Sequence, residues 1–213
     1  MPLTLKNFYR TSRLPAEYQE VEYIENTSTS YINTWLVCNY WYKIDLKYYT
    51  SSSGSGSITS DQTVLWPSKV NSATPLYYWI NYGAAYKWIY LNYNNVWKDI
   101  TNTQYVWNTY EASVILRNWN QTVVLDWNTV HSATDSTSWT WWSNLFVFAR
   151  WTDAHYAAIK LYSLQIYNSS DTKIRDFVPC YRKLDSVIWL YDLVNNTFYT
   201  NVWGWTFSKW NDI

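Results

Sequence analysis

The sequence predicts an all-β sandwich of two antiparallel sheets, and three observations carry that prediction. Apolar and polar residues alternate with period two along most of the ordered runs, giving each run one apolar face. The runs are short and recur about every 8–12 residues between clusters of turn formers, as strands of a sandwich do. No stretch carries an apolar stripe of helical period long enough for an amphipathic helix, and there are no heptads or internal repeats. A chain of 213 residues is large enough to bury a sizeable core, and β-sandwiches often pass about 200 residues undivided.

Residues 1–13 show no periodicity and are expected to be an N-terminal arm or the end of a linker. Residues 14–213 are expected to form the single sandwich domain. Val21 to Glu25 and Ser30 to Leu36 read as the first strands, split by Asn26-Thr27-Ser28-Thr29. Tyr42 to Tyr49 alternates Ile44 and Leu46 with Lys43, Asp45 and Lys47, the pattern of a half-buried strand with one wet face. Ser51 to Ser60, with two of the four glycines and much serine, reads as a flexible loop. Thr63 to Trp66, Leu76 to Tyr82, Lys87 to Tyr93 and Val96 to Ile100 follow as short strands. Tyr110 to Arg117, Thr122 to Leu125 and Thr129 to His131 read as a meander, and Asn144 to Arg150 as one more strand.

The organising stretch is Ala157 to Asn201. Period two places Tyr162, Leu164 and Ile166 on one face of its first strand, and Leu161, Ser163, Gln165 and Tyr167 on the other, more polar one. Asn168-Ser169-Ser170-Asp171 is a turn, and a second run starts at Lys173. Pro179 is expected to limit that run, because proline cannot donate to a ladder. Val187 to Val194 is a third run, ended by Asn195-Asn196, with Thr197-Phe198-Tyr199 as a short return strand.

Three sets of residues carry a family resemblance. Ile174-Arg175-Asp176-Phe177-Val178-Pro179-Cys180, Leu190-Tyr191-Asp192-Leu193-Val194 and Phe198-Tyr199 form the first set. The second is Leu14-Pro15-Ala16-Glu17-Tyr18, Glu22-Tyr23-Ile24-Glu25 and Ser30-Tyr31-Ile32-Asn33-Thr34, and the third is Phe148-Ala149-Arg150. Together they resemble a concanavalin A-like (laminin-G-like) jelly-roll domain of the kind found in phage tail and minor structural proteins and in bacterial surface proteins. The resemblance implies a jelly-roll sandwich over about residues 14–210. On function it is loose, since such sandwiches serve as lectins, glycosidases and inert structural modules.

Charge and targeting exclude several classes. Formal net charge is zero and 15% of residues are charged, so no field attracts nucleic acid or an anionic membrane. No apolar run is long enough to span a bilayer, and the first 25 residues are too polar for a signal peptide. Cys38 and Cys180, far apart in sequence, are expected to be buried or half-buried thiols, with a disulfide or metal pair as the alternative.

The candidate chemistry is sparse. Glu20-Val21-Glu22-Tyr23-Ile24-Glu25 resembles the Glu-x-Asp-x-x-Glu strand of retaining laminarinase-like glycosidases. Such enzymes need two carboxylates about 5–5.5 Å apart. Glu20 and Glu22 share a strand face, but Glu25 joins them only through a bulge, and the middle Asp is Glu here. The stretch is also the structural N-terminal motif of the resembling family, so Glu20, Glu22 and Glu25 are weak catalytic candidates and no enzyme activity is expected. His131 and His155, the only histidines, lack a companion cluster at metal-ligand spacing. The resemblance implies a rim site for Ca2+ in some members, for which Asp153 and Asp171 are weak candidates. No cofactor is otherwise expected.

The aromatic content is anomalous. There are 17 Trp, 22 Tyr and only 4 Gly, where ordinary usage of about 7% would supply roughly 15 glycines. Tryptophan stands where glycine belongs: Asn118-Trp119-Asn120 and Asp126-Trp127-Asn128 separate alternating runs, as Asn-Gly and Asp-Gly do in hairpins. Glycine is likewise expected from the resemblance at Trp189, Trp205 and Trp210. Many of these tryptophans are therefore expected to be glycines in the living protein, through UGA codons read with the wrong table; a Trp-rich binding surface is the alternative. Miscoding does not explain the tyrosines. Tyr78, Tyr82, Tyr86 and Tyr90, with Asn81 and Asn92, combine flat rings with amide donors and acceptors, which suits sugars. A half-buried strand surface would use the same tyrosines.

The expected function is a non-catalytic binding or adhesion module that recognises glycans or a surface protein. Its setting would be a phage tail (the virion) or a bacterial cell surface, alone, as a homo-oligomer or within a larger assembly. A purely structural virion module and a laminarinase-like glycoside hydrolase are the alternatives.

Overall fold

The computed structural model describes residues 13–26, 30–37, 41–50, 62–67, 77–82, 87–93, 96–104, 108–117, 120–134, 144–149, 157–200 and 207–213. Among them are strands and turns and no helix, so none is long and apolar enough to cross a membrane. The strands are β1 (Tyr18–Glu20), β2 (Ile24–Glu25), β3 (Ile32–Val37), β4 (Lys43–Thr50), β5 (Gln62–Pro67) and β6 (Tyr77–Tyr82). They continue with β7 (Lys87–Tyr93), β8 (Val96–Gln104), β9 (Asn108–Arg117), β10 (Asn120–Leu125), β11 (Asn128–Thr134) and β12 (Asn144–Val147). The last five are β13 (Ile159–Tyr167), β14 (Lys173–Arg182), β15 (Val187–Asp192), β16 (Thr197–Tyr199) and β17 (Ser208–Lys209).

They form two antiparallel sheets. The larger has the order β11-β10-β9-β4-β13-β14-β15-β16, with β1 on β14 and β2 on β13, and β17 on β2. The smaller has the order β3-β12-β5-β6-β7-β8. Alternation in β4 buries Ile44, Leu46 and Tyr48, which join Val114 and Leu116 of β9 and Leu164 and Ile166 of β13. The other sheet supplies Ile32, Val64, Leu65, Leu145 and Val147 to the same core. Each such side chain contributes about 1.5–3 kcal/mol by leaving water.

Two expectations for the C-terminal stretch fail for backbone reasons. Leu161 is fully buried beside Ile159, while Tyr162 is half-buried on the outer face, the reverse of the period-two assignment. The register of β13 against β4 shifts between Leu161 and Ser163, so Tyr162 is the extra residue of a β-bulge and the faces exchange there. Pro179 does not end its run. The β14 strand passes through it, with Pro179 opposite Leu190 of β15. Along its other edge β14 changes partner, from β13 up to Phe177 to β1 from Cys180. Pro179 sits at that change, where its carbonyl accepts the Val21 amide at 3.0 Å and its missing N–H leaves no rung empty.

Smaller corrections follow the same logic. Val21 to Glu25 is not one strand, since Val21 makes only an isolated bridge to Asp212 before β2 begins. The third C-terminal run stops at Asp192, whose buried carboxylate accepts the Val194 amide at 3.0 Å and turns the chain. The loop expected at 51–60 and the histidine at 155 lie outside the described residues, as do Cys38 and residues 1–12 of the expected arm.

Cys180 is a free, fully buried thiol. Burial pushes it up from 9.0 to about 12; the Glu20 carboxylate adds to the push and a Tyr191 backbone hydrogen bond opposes it. The unfolded thiol ionises first, so between about 9 and about 12 the unfolded chain holds one proton fewer. Stability should then fall with rising pH by about 1.4 kcal/mol per unit through this one group. The check is the pH–stability curve of the parent minus that of Cys180→Val: the difference should fall with that slope, the raised tyrosines being common to both proteins.

Candidate functional site

The outer face of the larger sheet carries a groove built by register. Period two in β4 turns Lys43, Asp45, Lys47 and Tyr49 away from the core. Pairing sets Asp45 between Ser113 of β9 and Gln165 of β13, and Lys47 between Glu111 and Ser163. The resulting groove has a volume of about 420 Å³ and is lined by Lys43, Asp45, Lys47, Glu111, Ser113 and Gln165, among others.

Its polar groups are tied to one another. Lys43 Nζ lies 2.7 Å from Asp45 Oδ2, and Ser113 Oγ donates to Asp45 Oδ1 at 2.6 Å. Lys47 Nζ pairs with Glu111 Oε1 at 3.2 Å. Tyr167 OH donates to Gln165 Oε1 at 2.8 Å, and Gln165 Nε2 donates to Asp176 Oδ1 at 3.1 Å. Lys43 also stands over the Tyr167 ring, 4.8 Å from its centroid. These residues are half-buried or exposed, so such ion pairs add little to stability, about 0–1 kcal/mol each. What they provide is a neutral floor of fixed donors and acceptors.

An aromatic cluster stands beside it at the other end of β4. Lys160, opposite Tyr49 in register, donates from Nζ to Tyr23 OH at 2.9 Å and lies 4.5 Å from the Tyr23 centroid and 5.1 Å from that of Tyr49. Burial alone would lower the Lys160 ammonium, but the Tyr23 hydrogen bond, with Tyr23, Glu25 and Tyr162 nearby, raises it. Burial raises the Tyr162 hydroxyl, with Lys160 opposing. Tyr23 and Tyr162 meet edge to face at 5.3 Å.

Chemically the groove can donate to and accept from a polar ligand along β4 and flank it with tyrosine rings. Two serines line it, Ser113 and Ser163, of which Ser113 donates its hydroxyl to Asp45, and no histidine is among the lining residues.

The residues singled out from sequence lie elsewhere. Tyr78, Asn81 and Tyr82 are on β6, and Tyr90 and Asn92 on β7, of the smaller sheet. Their backbones are described but their side chains are not, and Tyr86 lies outside the described residues. Register sets Tyr78 opposite Leu91 and Tyr82 opposite Lys87, whereas Asn81, Tyr90 and Asn92 occupy the alternate positions, opposite Trp88, Trp79 and Tyr77. Glu20 is buried at the end of β1 and bonded to Arg13, with Arg13 Nε 3.2 Å from Oε2. Glu22 is exposed, and Glu25 is opposite Lys160 in β13. Asp171 accepts from Arg117 Nη1 at 2.6 Å, and Asp153 lies outside the described residues. No group of three or more metal-binding side chains occurs among the described residues.

The groove residues visible in sequence were the wet face of the Tyr42 to Tyr49 run and, on the more polar face of the first C-terminal strand, Ser163 and Gln165. Nothing local to that run says that Ser113, 68 positions from Asp45, stands beside it.

No protein-family model matches the sequence, and no curated protein matches it. Solved structures do. A Bacteroides ovatus protein proposed to bind carbohydrate is similar at a TM-score of 0.62 and 6% identity, covering 91% of this chain and 62% of that one. A SAP-like pentraxin of Limulus polyphemus is similar at a TM-score of 0.51 and 6% identity, covering 70% of this chain and 75% of that one. Domains LG4-5 of the mouse laminin alpha1 chain give a TM-score of 0.47 at 8% identity, over 85% of this chain and 48% of that one. The first two likenesses, at such low identity, are likenesses of architecture, and with the two antiparallel sheets they establish the fold: the chain is a concanavalin A-like jelly-roll β-sandwich.

Proposed function

We propose that this chain is a non-catalytic module that binds a neutral glycan along the β4 groove, as part of a phage tail or a bacterial surface protein. The carrying observation is the groove floor itself. Two lysines and two carboxylates cancel in charge there, and Ser113 and Gln165 add polar edges; beyond the lining, Tyr167 is the register partner of Lys43 and Tyr49 follows Lys47 on the same face of β4. Sugars offer hydroxyl edges and apolar C–H faces, which such a set of groups meets. An anionic polymer would find no net positive charge to hold it. The fold shared with the Bacteroides ovatus protein proposed to bind carbohydrate supports the same reading. Against a hydrolase stands the engagement of Glu20 by Arg13.

Saturable binding to neutral cell-wall polysaccharides, measured by calorimetry or a glycan array, tests the proposal. Asp45→Ala combined with Gln165→Ala should weaken binding by about 10- to 100-fold, about 1.4–2.8 kcal/mol. Binding should change little between low and moderate salt and should persist after chelation of divalent cations, since Asp171 is already held by Arg117. The β6–β7 strand pair, where Asn81, Tyr90 and Asn92 share one set of alternate positions, is the second surface to examine. If Tyr90→Ala abolishes binding and the groove variant does not, the ligand belongs there. Absence of saturable binding to any glycan would favour the purely structural role.

A further inference from the structure

The geometry points to glycine, in place of tryptophan, as the native residue at positions 35 and 127, with UGA codons behind both. Seven non-glycine residues among those described have positive φ. Asp126, Asp171 and Asn196 are of the short polar type that tolerates this region, and Ser186 is a small turn residue. Phe148, at 73°, is fully buried against Phe207, so its ring is held there by the core.

Trp35 and Trp127 have neither reason. Trp127, at φ 67°, is the second residue of the two-residue turn between β10 and β11, where Leu125 pairs with Asn128. With Asp126 at 46°, both central residues have positive φ, as in a type I′ turn, which Asp-Gly fills. The Trp127 side chain is 88% exposed. Trp35, at φ 52°, lies inside β3 where the register against β12 is broken between the Asn33–Phe146 and Val37–Asn144 rungs. It is 68% exposed, and its amide is held at 2.8 Å by the Asn33 side chain. A left-handed residue in a bulge is a glycine position.

Trp189, where the family resemblance also expects glycine, buries an indole N–H that, like Arg117 Nε, finds no hydrogen-bond partner among the described residues. A single change of reading accounts for all three sites and for the chain's 17 Trp against 4 Gly, because UGA is tryptophan in some genetic codes and glycine in others. Position 127 borders the groove, so glycine there removes an indole from its rim. The inference does not depend on what the groove binds.

The test reads the codons at 35 and 127 and the masses of peptides covering them from protein isolated from its natural source. UGA with glycine masses is the expected result; tryptophan masses at both sites would overturn it. In the recombinant chain as written here, Trp35→Gly and Trp127→Gly should each shift the folding equilibrium toward the native state by about 5- to 30-fold. Trp127→Ala, which removes the ring and keeps Cβ, should gain less. A loss of stability in both glycine variants, or an equal gain from alanine, would refute the backbone argument.

Discussion

Asp192→Ala is expected to destabilise the domain by about 3–5 kcal/mol, because it takes a buried acceptor from three hydrogen-bond donors and the charge partner from a fourth group, the Arg175 guanidinium. Asp192 is fully buried at the end of β15. Its Oδ1 accepts the amides of Asp176 and Val194, both at 3.0 Å, and its Oδ2 accepts Asn195 Nδ2 at 2.5 Å. Arg175 Nε stands 3.4 Å from the same oxygen, as an ion pair. The carboxylate therefore ties the β14 edge to the turn that starts β16. Alanine leaves these N–H groups and a guanidinium facing an apolar hole, whereas Asp192→Asn keeps the shape and one acceptor and should cost about 1–2 kcal/mol. Urea denaturation decides it. An alanine variant within about 0.5 kcal/mol of the parent would mean that water replaces the carboxylate and the turn is not held by it.

Phe177→Ala should cost a similar amount, about 3–5 kcal/mol, by a different mechanism. Phe177 is fully buried, opposite Leu164 on one side and Asp192 on the other, with its ring edge to face on Tyr199 at 5.3 Å. Removing it opens a cavity where the two halves of the C-terminal stretch meet the core. The expected observation is a lower urea midpoint with an unchanged slope. Because Phe177 and Asp192 are register partners, the double variant should fall short of the sum of the two, and a double-mutant cycle measures the coupling.

Much of this architecture was legible because burial on one face of a strand imposes period two on the residues themselves. The β4 strand shows it best: Ile44, Leu46 and Tyr48 are buried and Lys43, Asp45 and Lys47 are not, as the alternation demands. The hairpin at Asp126-Trp127 was legible from its flanks, although the residue in its second position was the wrong kind for the turn. Reading failed where the period was interrupted. A bulge at Tyr162 exchanges faces without any local signal, since Leu161 and Tyr162 are both acceptable β residues on either side. Pro179 misled for the opposite reason. Its missing N–H is costly inside a ladder, but a change of neighbouring strand had already emptied that rung.

The sequence by itself determined the fold class, the wet and dry faces of strands without a bulge, such as β4, and the glycine-like character of the turns, because each follows from residues a few positions apart. Only the tertiary structure decided which wet faces lie side by side. Asp45, Ser113 and Gln165 come from three strands, and the groove exists because antiparallel pairing brings them into one row. Hydrogen bonds between strands set that row, and the pattern within a strand carries no record of its neighbours.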